Sequence, residues 1–211
     1  MITTLHLGTL KAAVNIANLA LVQIREDGSY VGPSVDIAHK LSQTLSVAVE
    51  FIPYHSASEI VAAVDRNEWD IAFLANDPSR THKLAFSKPY LTIEASILVR
   101  DVDRHQSIAD LNAPNVRVSA TRGAAYEKSL SQALPLADLN FLPTPVESRD
   151  YFLENNLDAI AGVRKSLEAL KAQHRQYSIL KDSFASIQQC VAVPLESAEN
   201  IAVIESALFS R

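Results

Sequence analysis

The sequence predicts an α/β protein of two lobes, in which the second lobe is inserted into the first. Short apolar runs alternate with helical patterns along the 211 residues. The run 71–74 is apolar at every position, which is typical of a parallel strand buried on both faces. The alternation starts again after residue 95. We therefore expect one lobe at 1–98 with 190–211 and an inserted lobe at 99–189.

The first lobe has the pattern of a βαβαβ unit, whose crossovers in a parallel sheet are right-handed. Apolar residues recur at helical spacing from Ser34 onward, and Ser58 is expected to cap the next helix. Asp27-Gly28 predicts a hairpin-type turn. The expected elements are a strand at 10–16, a helix at 34–45, a strand at 47–52, a helix from 58 and a strand at 70–75.

The second lobe repeats this alternation, and a short return to the first lobe follows it. The charged run 100–104 is expected to be a solvated surface turn. Two extended crossings, near 95–99 and 189–193, are expected to join the lobes. The expected strands are 96–99, 116–120, 140–142, 159–163, 178–180 and 190–193, and the expected helices are 124–134, 147–155, 165–174 and 197–209.

The composition is that of a globular protein, with 48% hydrophobic and 20% charged residues, and it excludes disorder. A net charge of −5 argues against a nucleic-acid partner, since those proteins carry a basic face. The single cysteine, Cys190, excludes an intramolecular disulfide and is expected to be a small, buried, unreactive residue. The apolar stretch 12–22 is interrupted by Asn15 and Asn18. It is therefore expected to be neither a signal-peptide core nor a membrane span.

Polar side chains follow the predicted strands at their carboxyl ends, where ligands bind in open parallel sheets. Three are arginines, whose planar guanidinium can hold a carboxylate with two hydrogen bonds. Gly123 stands where a strand turns into a helix, and backbone N–H groups at such a place favour an anion. Tyr126 either lines the cleft or packs in the core. The predicted ligand-binding residues are Asn15, Asn18, Asn76, Arg80, Thr121, Arg122, Gly123, Ala124, Tyr126 and Arg164.

The sequence contains no arrangement of residues that indicates catalysis. Its six histidines lack the H-x-x-x-H and H-E-x-x-H spacings, so no metal site is predicted. It has no G-x-S-x-G elbow, no Walker pattern and no G-x-G-x-x-G. We therefore expect a protein that is not an enzyme and uses no cofactor.

Several short motifs occur in order along the chain. They are Gly-Pro-Ser-Val-Asp-Ile-Ala at 32–38, Trp-Asp-Ile-Ala-Phe-Leu at 69–74, Pro-Ser-Arg at 78–80, Phe-Ser-Lys-Pro-Tyr at 86–90 and Leu-Asp-Ala at 157–159. Together they resemble the extracellular solute-binding proteins of ABC transporters, in the family that includes polar amino-acid binders. The resemblance extends from about residue 8 to residue 205.

That resemblance implies a type II periplasmic binding fold, with a mixed, mostly parallel sheet flanked by helices in each lobe and a two-strand hinge. The implied function is capture of a small carboxylate-bearing solute between the lobes by hinge closure. Arg80 matches the arginine that grips the ligand carboxylate in this family. The implied partner is the membrane permease of an ABC importer, the implied location is the periplasm, and a monomer is expected.

The chain departs from the amino-acid binders of that family in its second lobe. Gly123 is followed by two alanines where the family usually has a threonine or serine, and Val163 stands where an aspartate usually holds the ligand ammonium. The residues after the first strand include no aromatic side chain to stack on a ligand. Because Arg122 and Arg164 add positive charge near the cleft, an organic acid is the first expectation and an amino acid the second.

Two other functions stay open at this point. One is a ligand-sensing domain of a receptor or regulator, although no helix-turn-helix or transmembrane segment is present to support it. The other is an enzyme similar to cyclohexadienyl dehydratases, which share the fold and use a cleft carboxylate as a general acid. The predicted strand ends of the second lobe offer no such carboxylate.

Overall fold

A computed structural model describes residues 8–103 and 105–209 of the chain. The outermost ends of the expected first lobe, and Arg104 in the charged run, lie outside the described residues. The strands are β1 Thr9–Asn15, β2 Gln23–Ile24, β3 Tyr30–Val31, β4 Ala48–Tyr54, β5 Ile71–Ala75, β6 Leu84–Arg100, β7 Arg117–Thr121, β8 Asp138–Leu142, β9 Ala159–Val163, β10 Tyr177–Ile179 and β11 Ala185–Pro194. The α-helices are α1 Pro33–Leu45, α2 Ala57–Ala62, α3 Glu127–Ala133, α4 Pro145–Glu154, α5 Arg164–Gln173 and α6 Asn200–Phe209.

The chain divides into two compact units. Unit 1 lies within residues 1–92 and 188–211, and unit 2 within residues 93–187. Two strands, β6 and β11, carry the chain across the boundary between the units. The expected lobe limits, at 98/99 and 189/190, fall within these same two strands.

The sheet of unit 1 contains β4, β1 and β5 in parallel, with β11 antiparallel beside β5. Every residue of β5 is buried, as the apolar run predicts. Alternate residues of the sheet face two separate cores. Phe73 packs with α1 and α6 on one face, and Leu74 packs with α2 and Trp69 on the other. The sheet is therefore covered by helices on both faces.

The sheet of unit 2 has β9, β7 and β8 in parallel, with β6 antiparallel to β9 and β10 antiparallel to β6. A core of this unit joins β6, β9, α4 and α5 through Leu98, Phe152, Ile160 and Leu167. Helix α4 begins with a capping box in which Thr144 and Glu147 satisfy each other's backbone N–H groups.

Three expectations about helix starts are wrong. The helix expected at 197–209 begins at Asn200, after the 3-10 turn Leu195–Ser197. The cap of α2 is Ser56, whose Oγ accepts the Glu59 N–H at 3.2 Å, and not Ser58. The helix expected at 124–134 begins at Glu127, because Gly123 has a φ of 68° and the chain makes a turn through the next three residues before it becomes helical. The hairpin turn at Asp27-Gly28 is confirmed, since β2 and β3 pair around it.

Two crossing strands are longer than expected. β6 has 17 residues and β11 has 10, whereas the sequence pattern predicts only 96–99 and 190–193. In the first half of β6 several side chains are exposed, so the apolar pattern does not identify it as a strand. The charged run begins at Arg100, which pairs with Asp103 across an exposed 3-10 turn.

Candidate functional site

Unit 1 presents a buried guanidinium just beyond the carboxyl end of β5. Arg80 closes the 3-10 turn Pro78–Arg80, which begins at Asp77. The Asp77 carboxylate accepts the N–H and the hydroxyl of Ser79 at 2.9 and 2.8 Å, and this fixes the turn. Arg80 is only 6% exposed, and its Nη1 donates to the Ala75 carbonyl at 3.3 Å. A buried cation is thus held at the last residue of the strand.

The electrostatics of this position favour an anion. Burial lowers the pKa of the Arg80 guanidinium, and the nearby Asp77 carboxylate partly offsets that effect. A guanidinium nevertheless stays protonated in proteins. A buried charge is stabilised when an opposite charge with matching hydrogen bonds joins it. The position can therefore receive a carboxylate.

The asparagines predicted to bind ligand lie at the same edge of unit 1. Asn15 ends β1, and Asn76 follows β5, which runs parallel to β1. The Asn15 Oδ1 accepts the Ala17 N–H at 3.1 Å, and the Asn18 Oδ1 accepts the Ala20 N–H at 3.3 Å. Both side-chain oxygens stabilise turns in the chain. The groups they can offer to a ligand are the amide N–H donors.

In unit 2 the carboxyl end of β7 holds a carboxylate of the protein itself. Thr121 ends the strand, and the backbone N–H of Gly123 donates to Oε2 of Glu127. Arg122 is exposed, and its Nη2 donates to the Phe141 carbonyl at 3.1 Å. Sequence reasoning missed Glu127. One pattern in the sequence could have identified it. Glu127 follows Gly123, the glycine at the strand end, by four residues.

Tyr126 lies in the core of unit 2. Its ring meets that of Phe184 edge-on, with centroids 5.7 Å apart, and its hydroxyl donates to the Ala161 carbonyl at 3.4 Å. Burial raises the pKa of the Tyr126 phenol, and hydrogen bonds with Thr121 offset part of that rise. The sequence left two alternatives for Tyr126, which were to line the cleft or to pack in the core. The observed packing is that of a core residue.

Arg164 is the first residue of α5, and its guanidinium holds the segment that follows β10. It donates to Glu94 at 3.1 Å and to the Lys181 carbonyl at 2.9 Å, and further bonds reach Leu180, Asp182 and Ser183. The Ser183 hydroxyl and the Arg164 guanidinium lower the pKa of the Glu94 carboxyl. Arg164 thus makes many contacts inside unit 2.

The motifs quoted from the sequence occupy positions that hold unit 1 together. Gly32 has a φ of 125°, and a Cβ there would lie 2.6 Å from the Leu21 carbonyl oxygen, so the position requires glycine. The Ser34 hydroxyl lies 2.8 Å from that of Tyr90, which joins the 32–38 motif to the 86–90 motif. Asp70 accepts the Lys11 N–H at 2.8 Å.

The Leu-Asp-Ala motif has a similar role in unit 2. Asp158 accepts the backbone N–H of Arg117 at 2.7 Å and pairs with the guanidinium of Arg100. These contacts give Asp158 a structural role in unit 2. In the described part of the chain, no group of three or more His, Cys, Asp and Glu side chains is placed to hold a metal ion. None of the helices in residues 8–103 and 105–209 is both long and apolar enough to span a membrane.

The class of protein follows from the fold. An ancestral amino acid-binding protein described as a precursor of cyclohexadienyl dehydratase is 25% identical, with a TM-score of 0.80 over 95% of this chain and 88% of that one. An ancestral arginine-binding protein bound to arginine is 22% identical, with a TM-score of 0.82 over 95% of this chain and 91% of that one. The arginine-bound Gly52Ala mutant of ArgBP from T. maritima is 18% identical, with a TM-score of 0.81 over 95% of this chain and 94% of that one. The expected type II, two-lobed periplasmic binding fold is confirmed.

The family follows from the sequence. Residues 10–186 match bacterial extracellular solute-binding proteins, family 3, and the chain belongs to that family. The family expected from the sequence motifs is therefore confirmed. No curated protein matches the chain.

Proposed function

We propose that this protein is the substrate-binding component of an ABC importer and captures a small carboxylate-bearing solute, either an organic acid or an amino acid-like compound. The observation that carries the proposal is the buried guanidinium of Arg80 at the carboxyl end of β5. Membership of the solute-binding family supports a binding function. Similar structures that hold arginine or glutamine support a ligand of amino-acid size.

Arg80 is the proposed anchor of the ligand carboxylate. Its planar fork can form two parallel hydrogen bonds with one carboxylate, which a lysine ammonium cannot do. Asn15, Asn18 and Asn76 are the proposed neighbours that direct amide N–H groups at the ligand. All four lie at the carboxyl edge of the unit 1 sheet, where ligands bind in folds of this kind.

In unit 2 the proposed ligand contacts are the residues after β7, namely Thr121, Arg122, Gly123 and Ala124, and the proposed site also includes Tyr126 and Arg164 as residues that position this region. Arg122 is the strongest candidate among them, because its guanidinium is exposed. Arg164 contributes through its hydrogen bonds to residues 180–183, and Tyr126 through its packing against Phe184. Val163 at the end of β9 brings no carboxylate for a ligand ammonium. The proposal therefore favours an organic acid over an ordinary α-amino acid.

Four further features complete the proposal. They are closure of the two lobes on the ligand, a periplasmic location, a permease partner and a monomeric state. All four come from the family. Small-angle scattering with and without ligand tests closure, because enclosure of the solute must reduce the radius of gyration. Adjacent genes for a permease and an ATPase would support transport, whereas a neighbouring sensor gene would favour ligand sensing.

A thermal-shift screen of amino acids and small organic acids tests the binding function. A ligand at 100 times its Kd stabilises the native state by about 2.7 kcal/mol, which gives a clear rise in Tm. In Arg80→Lys the charge remains and the planar fork is lost, so the shift must shrink strongly. Arg25→Ala removes an exposed arginine of the same unit and serves as the matched control. An unchanged shift in Arg80→Lys, with the unliganded Tm preserved, overturns the role of Arg80.

A dehydratase-like activity is the second candidate. It is favoured by the 25% identity to the ancestral binding protein described as a precursor of cyclohexadienyl dehydratase. Incubation with prephenate or arogenate, followed by detection of the aromatic product, distinguishes the two functions. Product formation at a rate above the uncatalysed reaction would replace the importer proposal.

A further inference from the structure

Unit 1 contains a cavity at the edge of its sheet opposite to Arg80. The volume is about 210 Å³, and the cavity opens near the amino ends of β1 and β5. On β1, Leu10 lines this cavity while Asn15 ends the strand at the other edge. At about 3.3 Å per residue, the two edges are roughly 17 Å apart. The cavity is thus separate from the proposed carboxylate site.

The inner walls of the cavity are apolar. They come from the sheet, from α1 and from α6, and comprise Leu10, Leu41, Leu45, Trp69, Ile71, Val193 and Ile204. An apolar cavity of about 150 Å³ is enough to hold benzene. The cavity in unit 1 therefore has room for one six-membered ring with a short substituent.

In the described part of the chain, the polar residues that line the cavity, Asn67, Asp70, Glu196, Ser197 and Asn200, include no basic one. Asn200 is 8% exposed and lines the cavity, and in the described part of the chain its side chain makes no hydrogen bond. Glu196 is exposed beside it and has no ion-pair partner within residues 8–103 and 105–209. Asp70 also lines the cavity and accepts the Lys11 N–H. The Glu196 carboxylate and the unused Asn200 amide oxygen therefore face a potential ligand.

The backbone partial charges at this mouth offset each other. Leu45 is the last residue of α1, where the helix dipole is negative, and Asn200 is the first of α6, where it is positive. Among the described residues, the exposed carboxylate of Glu196 therefore decides the sign of the potential. It favours a cation.

We propose that this cavity is a second ligand site, which binds a small amphiphilic amine with a ring-sized apolar body. The ring lies between Leu10, Leu45 and Ile204. The ammonium group donates hydrogen bonds to the Glu196 carboxylate and the Asn200 side-chain oxygen. Because the site is at the opposite edge of the sheet, its occupancy does not depend on Arg80.

Calorimetric titration of the full chain with benzylamine, benzyl alcohol and benzoate tests the site. Benzylamine must bind, and benzyl alcohol, which has the same shape without the charge, must bind at least 10-fold more weakly. Benzoate must not compete with benzylamine. Absence of benzylamine binding at millimolar concentration, or equal affinity for benzyl alcohol, overturns the proposal.

Variants locate the binding. Glu196→Gln removes the charge at an exposed position and must weaken benzylamine binding about 5- to 10-fold. Glu199→Gln, an exposed neighbour that does not line the cavity, must leave it unchanged. Leu45→Trp fills the cavity and must abolish binding, while Arg80→Lys must retain it. Equal affinity in Glu196→Gln and in the unaltered protein places the amine elsewhere and overturns the proposal, even if Leu45→Trp does not fold.

Discussion

The Glu127 carboxylate accepts the backbone N–H of Gly123, so a negative charge of the protein lies at the carboxyl end of β7. A ligand anion at this strand end has to approach that charge. In Glu127→Gln the amide oxygen can still accept the N–H while the charge is gone. We expect a dicarboxylate to bind about 3- to 10-fold more tightly to this variant, because the repulsion between charges a few ångströms apart is removed.

Calorimetry with a dicarboxylate and a monocarboxylate of similar size measures this effect. The ratio of the two affinities must change in Glu127→Gln and stay constant in Glu154→Gln, an exposed glutamate of the same unit. If the ratio is the same in both variants, the charge of Glu127 does not act on the ligand.

Arg164 is expected to contribute to the stability of unit 2. Arg164→Ala removes the hydrogen bonds to Glu94 and to the carbonyl groups of Leu180 and Lys181. Charge-assisted bonds contribute about 1.5–3 kcal/mol, so the free energy of unfolding must fall by about 1–3 kcal/mol. Urea denaturation measures this fall. Arg149→Ala, which removes an exposed arginine paired with its neighbour Asp150, must change it by less than about 0.5 kcal/mol.

The two serines at the start of α2, Ser56 and Ser58, provide a matched pair of substitutions. Ser56→Ala removes the side-chain acceptor of the Glu59 N–H and must destabilise the protein by about 1 kcal/mol. Ser58→Ala changes an exposed residue inside the helix and must have little effect or a slightly stabilising one. The urea concentrations at the midpoint of unfolding measure the stability of the two variants. A larger loss from Ser58→Ala would contradict the observed start of the helix.

Cys190 is expected to be unreactive in the native protein. The residue is fully buried, and burial raises the pKa of its thiol to about 11. The reactive thiolate is therefore scarce at pH 8 in the folded state, whereas an unfolded cysteine has a pKa of about 8.5. A disulfide reagent at pH 8 must label Cys190 slowly in buffer and rapidly in concentrated urea. Equal rates in the two conditions would contradict the burial.

Much of the fold is predictable because it depends on local pattern. The buried strand β5 follows from an uninterrupted apolar run, and the helix after Gly32 follows from its spacing. The first half of β6 was missed because it contains Lys88 and Pro89 and is partly exposed. The Ser56 cap was also readable, since Ser56 and Glu59 have the capping-box spacing.

The candidate site was less predictable, because contacts distant in sequence determine each side chain's role. Arg80 and Arg164 look alike as arginines at strand ends. Arg80 is buried against the carbonyl of Ala75, at the end of the preceding strand, whereas Arg164 is engaged by residues 16 to 19 positions further along the chain. No local pattern distinguishes these environments.

The division of the chain also affects the order in which the units can fold during synthesis. Unit 2 is one continuous segment, 93–187, and all of its residues are synthesised before the last segment of unit 1, 188–211. Unit 1 lacks Val191, Val193, Ile204 and Leu208 of its core until residues 188–211 are made. At about 5–20 residues per second, that last segment takes roughly 1–5 s. During this interval the nascent chain has every residue of unit 2 but only part of the core of unit 1, and chaperones that bind apolar surface would act on unit 1.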